Sequence, residues 1–421
     1  MKTKAVRLYG VNDLRLEEFE LPEIREDEIS AHIISNSICM STHKAAAQGA
    51  AHKRVPENIA QSPVIVGHEF CGEIIKVGAK WKDKFAAGDR FSIQPAINYK
   101  GSLESPGYSY PYIGGNATYV VIPNEVMEMN CLLPYKGKAF FYGSLAEPMS
   151  CIVGAFHANY HTTAGSYVHR MGIVPGGAVA ILAGAGPMGL GAVDYALHSD
   201  GPRPSLVVVT DINEERLARA AEIMSPEAAS AEGVTLRFIN TADSPDAVSE
   251  LLALTGGKGY DDVFAFAPVK SVVETGDRIL ARDGCLNFFA GPVNTDFSAL
   301  FNFYNVHYAS THIVGTSGGN TDDMLESLAL MEKGAINPAA MVTHVGGLNA
   351  VPSTILNLPD IPGGKKLMYT NIHMPLTALD SLEEKRKSDP LCAALAEIVK
   401  SNNGLWSAEA EAYLLAHAPS I

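Results

Sequence analysis

The first 150 residues alternate short apolar runs with polar residues and turn formers. Runs such as PVIVGHE, GEIIKVG and ATYVVIP are rich in β-branched residues and are bounded by Gly, Pro or Asn. Because side chains on a strand point alternately to its two faces, this pattern predicts a mainly β domain. The opening stretch alternates in the same way, so it predicts a first strand rather than a secretory leader. Residues 98–116 predict a loop.

The pattern changes near residue 178, where apolar runs begin to alternate with segments of helical composition. The six apolar runs are AVAILAG, SLVVVTD, VTLRFIN, DDVFAFA, GCLNFFA and THIVGTS. This βαβ alternation predicts an α/β fold with a doubly wound parallel sheet, of the Rossmann type that binds dinucleotides. Further on, TDDMLESLALMEKGAI predicts a helix, KKLMYTNI predicts a strand, and residues 376–421 predict a helical extension.

Charge and cysteine content narrow the class of protein. The formal net charge of −14 disfavours nucleic acid and anionic membranes as partners, and no apolar run reaches the roughly 20 residues of a membrane span. The six cysteines are scattered without a CxxC pair, which is typical of reduced cytosolic thiols, so we expect a cytoplasmic protein. A phosphorylated substrate would need a local basic site in such an acidic chain.

A glycine-rich turn follows the first strand of the predicted parallel sheet. It fits GxGxxG, in which glycines allow a tight turn and a close approach of the backbone to a pyrophosphate. The candidate cofactor-binding residues in this turn are Gly184, Gly186, Pro187, Met188 and Gly189. The alternative is a structural turn, but the strand before it and the helical pattern after it favour a dinucleotide site.

The second predicted strand ends in Asp211, 22 residues after Gly189. That spacing is close to the one expected for a carboxylate on the ribose hydroxyls of the cofactor. A carboxylate there repels a 2′-phosphate, so NAD is favoured over NADP. Arg216 follows closely and leaves NADP possible.

Metal-capable side chains occur in three separate segments of the β-rich part. They are Cys39 and His43 in ICMSTHK, His68 and Glu69 in GHE, and Glu147 in LAEPMSC. A thiolate, an imidazole and a carboxylate suit Zn²⁺, and three protein ligands leave a position open for substrate. Taken singly, each residue also fits a structural role, as a buried thiol, a hydrogen-bonded histidine or a surface carboxylate.

Several of these segments together resemble the zinc-dependent medium-chain dehydrogenase/reductase family. The matching runs are GHEFCGEIIKVG at 67–78, AAGDRF at 86–91, GGNATYVVIP at 114–123, LAEPMSC at 145–151 and GAGPMG at 184–189. The resemblance covers roughly residues 1–370 in the order of the family. It implies a GroES-like catalytic domain at 1–155 and 318–375, and a dinucleotide-binding domain at 156–317.

The resemblance also implies roles for single residues. Cys39, His68 and either Glu69 or Glu147 would surround the catalytic zinc, and Glu147 can also act through a water. Ser41 matches the hydroxyl that relays the alcohol proton. Two departures stand out: His43 lies one place earlier than the family's relay histidine, and the loop at about 95–110 lacks the cysteines of a structural zinc site. We therefore expect one zinc per chain.

The substrate expectation rests on a branch of that family. The chain resembles bacterial sugar-catabolic members that reduce a ketose phosphate. A basic cluster near Cys39 offers phosphate contacts, of which Lys44 and Arg54 are the candidates, although a solvated charge run is an alternative. Other functions stay open: a dehydrogenase of an unphosphorylated polyol or amino alcohol, like sorbitol or threonine dehydrogenases, or a non-catalytic dinucleotide-binding protein. We expect a homo-oligomer, a dimer or a tetramer, with THIVGTS as an edge strand that could pair.

Overall fold

The alternating pattern at the start of the chain folds into the strands of a first unit. The computed structural model describes residues 1–421, which form one unit from Met1–Glu147 with Val342–Ile421 and another from Pro148–Met341. The strands of the first segment are β1 (Lys2–Gly10), β2 (Asp13–Glu20), β3 (Ile29–Ile38), β4 (Val64–Ile65), β5 (Glu69–Val77), β6 (Arg90–Ile93), β7 (Tyr119–Ile122) and β8 (Leu132–Pro134). The helices are α1 (Met40–Gln48), α2 (Asn124–Glu128) and α3 (Phe140–Ala158).

The second unit contains the strands and helices of the βαβ pattern. Its strands are β9 (Tyr160–Thr162), β10 (His169–Met171), β11 (Ala178–Leu182), β12 (Leu206–Asp211), β13 (Thr235–Asn240), β14 (Tyr260–Ala265), β15 (Leu280–Phe288) and β16 (His312–Val314). Its helices are α4 (Pro187–His198), α5 (Glu214–Ile223), α6 (Pro226–Ala231), α7 (Ala247–Leu254), α8 (Lys270–Arg278), α9 (Phe303–Tyr308) and α10 (Thr321–Lys333).

The chain then returns to the first unit. The strands there are β17 (Val342–Gly347), β18 (Lys365–Tyr369) and β19 (Thr377–Ala378). The helices are α11 (Val351–Leu356), α12 (Leu382–Lys385), α13 (Pro390–Ser401) and α14 (Ala408–His417). Short 3-10 helices lie at Gly49–Ala51, Ala79–Trp81, Tyr99–Gly101, Pro338–Met341, Leu348–Ala350 and Leu358–Asp360.

Two sheets build the first unit, as its β-rich pattern predicts. One has the strand order β2-β1-β4, and the other runs β19-β17-β18-β3-β5-β6-β8, with β7 also paired to β3. Only β17 and β18 pair in parallel among these neighbours. Strand β3 is the centre of the larger sheet and is almost entirely buried, because its apolar residues pack against β5, β6 and β7.

The second unit contains the predicted doubly wound sheet. All six predicted runs form strands, and their order β13-β12-β11-β14-β15-β16 is the 3-2-1-4-5-6 order of a Rossmann fold. All five strand pairings in this sheet are parallel. The prediction of an α/β fold with a mainly β domain and a parallel sheet is therefore confirmed. Strand β16 lies at the edge, as expected from the sequence.

The boundaries of the units lie at residues 147 and 341, whereas the sequence placed domain boundaries at 155 and 318. Helix α10 belongs to the second unit, where Asp323 Oδ1 lies 2.7 Å from His157 Nδ1. Residues 376–421 belong to the first unit, and Trp406 is completely buried there. No helix has both the length and the apolar character needed to cross a membrane.

Candidate functional site

Three of the predicted metal-capable residues come together in the first unit. The donor atoms of Cys39, His68 and Glu69 all lie within 4.8 Å of one another. Cys39 follows the end of β3, and Glu69 opens β5, which pairs with β3 so that Ser37 lies opposite Glu69. The antiparallel pairing of two neighbouring strands thus brings together residues that are 30 positions apart in the sequence. We call Cys39, His68 and Glu69 the donor cluster.

The ring of His68 is held with one nitrogen toward the other donors. Its Nδ1 lies 3.3 Å from Thr42 Oγ1, and its Nε2 lies 4.0 Å from Glu69 Oε1. Burial lowers the pKa of His68, which keeps the imidazole neutral. A neutral imidazole with a partner on its second nitrogen is the form that binds a metal ion.

Glu69 is completely buried and pairs with a lysine that sequence reasoning missed. Lys365 Nζ donates to both carboxylate oxygens of Glu69, at 2.5 and 2.7 Å, and the hydroxyl of Ser37 also donates to this carboxylate. Burial acts to lower the pKa of Lys365, but Glu69 outweighs it, and the net pKa is raised. The available signal was a pair of lysines opening an apolar strand, since lysine is rarely buried without a partner.

Glu147 approaches the donor cluster from α3. It is partly buried. Burial, followed by repulsion from Glu69, raises its pKa to about 7. Burial, and then Glu69, also raise the pKa of the Cys39 thiol. Each of these anionic groups thus opposes the ionisation of the next, and a bound cation would relieve that repulsion.

A second missed residue, Tyr108, lies against the donor cluster. Its hydroxyl donates to Ser41 Oγ at 2.8 Å and lies 3.3 Å from His68 Nε2. Ser41 in turn donates to Cys39 Sγ at 3.0 Å. The predicted relay hydroxyl is therefore within one hydrogen bond of the cluster, on a chain of contacts that ends at a buried phenol.

Tyr108 comes from the loop that lacks the family's cysteines. Gly107 has φ +81°, and a Cβ there would lie 2.1 Å from the Gly67 carbonyl oxygen, so only glycine allows this approach to the turn before His68. The loop is held by hydrogen bonds from Ser105 Oγ to the Pro95 carbonyl oxygen and from Ser109 Oγ to the Arg54 carbonyl oxygen, both 2.7 Å. No spacing in the sequence marks Tyr108 as part of a site.

The residues predicted for the proton relay and for phosphate binding differ in how close they lie to the donor cluster. The Arg54 guanidinium lies 5.6 Å from the centre of the Tyr108 ring, and its Nη1 donates to Ser105 Oγ at 3.3 Å. His43 Nδ1 lies 2.8 Å from the Ile355 carbonyl oxygen of α11, whereas Ser41 hydrogen-bonds to Cys39 and Tyr108. Lys44 is partly buried on α1, and no contact ties it to the donor cluster. Of the two predicted phosphate contacts, Arg54 is the one that reaches a residue of the site.

The glycine-rich turn lies between β11 and α4 in the second unit. Gly186 caps the helix, and Pro187 is its first residue, followed by Met188. A Cβ on Gly189 would lie 2.1 Å from the Gly184 carbonyl oxygen, so the turn closes only with glycine there, whereas a Cβ on Gly186 would meet open space. The turn therefore has the close packing and the exposed backbone that a pyrophosphate needs.

Asp211 ends β12 and is bonded to the backbone near this turn. One carboxylate oxygen accepts from Ala185 N at 3.3 Å, and the other accepts from Ile212 N and Asn213 N at 2.9 and 3.1 Å. Arg216 is exposed in the first turn of α5. The structure therefore brings Asp211 to the glycine turn of its own unit.

The chemistry of the donor cluster fits a zinc ion. Sulfur, imidazole nitrogen and carboxylate oxygen are the ligand types of catalytic zinc sites, and three of them leave one position open. His68 and Glu69 are buried, Cys39 is partly buried, and all six cysteines of the chain are free thiols. The donor cluster is the one group of at least three His, Cys, Asp or Glu side chains with this close spacing in residues 1–421.

Comparison with protein families agrees with this arrangement. Residues 25–130 match the alcohol dehydrogenase GroES-like domain, and residues 187–333 match the zinc-binding dehydrogenase domain. The first match contains the donor cluster. The second begins at Pro187 in the glycine turn.

Full-length relatives are more than half identical to this chain. It is 54% identical over 416 residues to "Uncharacterized protein YggP" of Escherichia coli, covering 99% of this chain and 97% of that protein. It is 53% identical to mannitol-1-phosphate 5-dehydrogenase of Aliivibrio fischeri, covering 98% and 97%. It is 52% identical to L-sorbose 1-phosphate reductase of Klebsiella pneumoniae, covering 100% and 98%.

A solved structure supports the fold. The chain resembles 2R,3R-butanediol dehydrogenase from Bacillus subtilis with a TM-score of 0.69 at 20% identity, over 88% of this chain and 100% of that one. The family matches and the full-length relatives identify the class of enzyme. The chain belongs to the zinc-dependent medium-chain dehydrogenase/reductase family, and it is an alcohol or polyol dehydrogenase that uses Zn²⁺ and a nicotinamide dinucleotide.

Proposed function

We propose that the protein reduces L-sorbose 1-phosphate to D-glucitol 6-phosphate with a reduced nicotinamide cofactor. The names of two relatives, at 53% and 52% identity, both refer to a hexose-derived monophosphate. A phosphate-bearing substrate is therefore the shared feature. Mannitol 1-phosphate is the second candidate substrate, because the relative named for it is as similar as the one named for sorbose phosphate.

The observation that carries the proposal is the position of Arg54. In a chain of net charge −14, this cation lies over the ring of Tyr108, whose hydroxyl contacts both Ser41 and His68. A guanidinium binds phosphate oxygens in a fork and keeps its charge at any physiological pH. Arg54 is partly buried, so its guanidinium is not fully shielded from solvent. Lys365, the other cation of the site, is already paired with Glu69.

The roles proposed for the other residues follow from their chemistry. Cys39, His68 and either Glu69 or Glu147 would hold the zinc ion. When bound, zinc polarises the substrate oxygen, and the nicotinamide supplies the hydride. Ser41, hydrogen-bonded to Tyr108 and Cys39, would pass a proton to the substrate oxygen. In the second unit, Asp211 would accept hydrogen bonds from the ribose hydroxyls of the cofactor, which favours NADH over NADPH. The turn from Gly184 to Gly189 would bind the pyrophosphate.

The experiment that tests the phosphate role compares one variant on two substrates. Steady-state rates of NADH oxidation are measured for Arg54→Gln with L-sorbose 1-phosphate and with L-sorbose. We expect the KM for the phosphate ester to rise about 10- to 100-fold, because a hydrogen bond to a charged group contributes roughly 1.5–3 kcal/mol. The rate with unphosphorylated sorbose should change little.

A matched control lies one residue away. Lys53 is exposed, so Lys53→Gln removes the same charge without touching Tyr108, and it should behave like the parent protein. Mannitol 1-phosphate with NAD⁺ is assayed in parallel. An equal loss on L-sorbose and its phosphate would refute the role of Arg54, and failure of both phosphate esters to react would refute the proposed substrate class.

A further inference from the structure

Helix α14, near the end of the chain, places a buried carboxylate at the start of α3. Phe140 N donates to Glu411 Oε1 at 2.6 Å, and Phe141 N donates to Glu411 Oε2 at 2.8 Å. The first N–H groups of a helix have no partner within the helix, and a carboxylate there satisfies them and favours the positive end of the helix dipole. Glu411 therefore anchors the first turn of α3.

The carboxylate of Glu411 is itself fixed from the opposite side. Tyr369 donates its hydroxyl to Glu411 Oε2 at 2.9 Å, and Trp406 Nε1 donates to the Tyr369 hydroxyl oxygen at 2.7 Å. All three side chains are buried. Because β18 carries both Tyr369 and Lys365, the same strand supports this anchor and the donor cluster.

The anchored turn leads directly to Glu147. Glu147 lies seven residues after Phe140, which is about two turns and roughly 10 Å along the same face of the helix. The residue after it, Pro148, has no N–H, so the carbonyl of Ser144 lacks its usual helical partner. The stretch from Phe140 to Glu147 is therefore less restrained by the rest of α3 and depends more on its own contacts.

Other contacts hold the middle of this stretch, among them a hydrogen bond from Ser35 Oγ to Ser144 Oγ at 3.1 Å. Ser92 Oγ donates to the Gly143 carbonyl oxygen at 2.6 Å, and Gly143 packs so closely on Cys71 that a Cβ would lie 2.4 Å from its sulfur. The start of the helix that leads to Glu147 is therefore fixed by Glu411, and its middle by these contacts.

We propose that Glu411 is a positioning residue for Glu147, so that the C-terminal extension holds a carboxylate of the metal centre in place. This inference rests on the role at the zinc site proposed above for Glu147. The C-terminal extension would then contribute to the geometry of the metal centre. This role also gives a reason for burying the Glu411 carboxylate despite the free-energy cost of removing it from water.

The test uses the full-length protein with Glu411→Gln, and Glu409→Gln as the matched control. Glu409 lies in the same helix and is exposed. The amide of glutamine keeps the size of the side chain, but its NH₂ group cannot accept a hydrogen bond from a backbone N–H. We expect kcat to fall about 10- to 100-fold, the range for groups that orient metal ligands, with little change in KM. The visible absorption bands of the Co²⁺-substituted protein should also shift, and Glu409→Gln should match the parent in both readouts.

A double variant separates positioning from general damage. If Glu411 acts through Glu147, Glu411→Gln should cause no further loss of kcat and no further spectral change in a Glu147→Gln background. Full additivity of the two losses, or an unchanged kcat and Co²⁺ spectrum in Glu411→Gln, would overturn the proposal. The Co²⁺ spectrum needs no substrate, so it tests Glu411 even if the proposed sugar phosphate is wrong.

A second variant covers the case in which Glu411→Gln does not fold. Tyr369→Phe removes one donor to Glu411 and leaves the two backbone contacts. We expect a smaller loss of kcat and a smaller spectral shift in the same direction. A folded Tyr369→Phe protein with the kcat and Co²⁺ spectrum of the parent would then count against the proposal.

Discussion

The donor cluster of the first unit and the glycine turn of the second unit are built in opposite ways. The donor cluster takes its side chains from the end of β3 and the start of β5. Glu147 of α3 and Lys365 of β18 surround it, and its buried carboxylate Glu69 needs the lysine as a partner. The glycine turn is a short continuous segment whose function depends on the absence of side chains. One site is assembled by tertiary structure, and the other is assembled by local backbone geometry.

This difference teaches where each site is vulnerable. A buried ion pair or thiol is sensitive to loss of charge or of a ligand atom, since its surroundings cannot supply a replacement. A close backbone turn is sensitive to added volume. The two sites should therefore fail independently, each to its own kind of substitution.

The largest effect should come from removing a donor. Cys39→Ala should abolish stoichiometric zinc binding and lower kcat/KM by about 1,000-fold or more, because polarisation by a metal ion is worth several kcal/mol. Metal content by atomic absorption and NADH binding by fluorescence check this, and NADH affinity should be unchanged. Cys131→Ala, which removes a buried thiol outside the donor cluster, should keep its zinc. Zinc retained at the parent level in Cys39→Ala would show that the donor cluster does not depend on this thiolate.

A smaller effect should come from filling the glycine turn. Gly189→Val puts a side chain where a Cβ would already lie 2.1 Å from a backbone oxygen, so the turn must shift. Overpacking of this kind costs about 1–3 kcal/mol, so we expect NADH to bind roughly 10- to 100-fold more weakly while zinc content stays at the parent level. Gly201→Ala, at an open position of the same unit, is the control. Parent-like NADH affinity would show that the turn does not depend on Gly189.

The smallest effect should be a change in the pH dependence of stability. Burial raises the pKa of Glu411 to about 7, while a glutamate in the unfolded chain titrates near pH 4.3. The contribution of protonated Glu411 to the free energy of unfolding is fully present below about pH 4. It is lost as the pH rises towards 7, because Glu411 releases its proton at a lower pH in the unfolded chain than in the folded protein. Arg90, Tyr369, Cys71 and Tyr142 are the other titratable groups near it.

Urea unfolding between pH 5 and pH 8 measures this dependence. The parent protein should lose stability with a slope of up to about 1.4 kcal/mol per pH unit more than Glu411→Gln between pH 5 and pH 7. Glu409→Gln should follow the parent. Parallel curves for the parent and Glu411→Gln would mean that Glu411 stays ionised across this range.

The sequence predicted the glycine turn and the sheet around it well, because their signals are local. Strand, turn, helix and Asp211 follow one another within a short segment, and each has a characteristic residue type. Cys39, His68 and Glu69 were metal candidates by residue type, but only a resemblance across several motifs assigned them to one zinc site. Their mutual distances depend on the pairing of β3 with β5.

Lys365, Tyr108 and Glu411 could not be predicted in the same way. Each acts through contacts made by tertiary structure, over separations of 296 residues for Lys365 with Glu69 and 271 residues for Glu411 with Phe140. A lysine at the start of a strand, a tyrosine in a loop and a glutamate in a helix are all ordinary in sequence. The division into units at residues 147 and 341 also depends on tertiary contacts, such as the one between Asp323 of α10 and His157 within the second unit.

The loop at residues 95–110 has a consequence for the protein when zinc is scarce. Hydrogen bonds of Ser105, Ser109 and Arg54 hold that loop, and the buried carboxylate of Glu69 is paired with Lys365. We therefore expect loss of the zinc ion to abolish activity while the loop at residues 95–110 stays folded. We also expect that zinc removed by a chelator can be restored to the folded protein, and that activity returns with it.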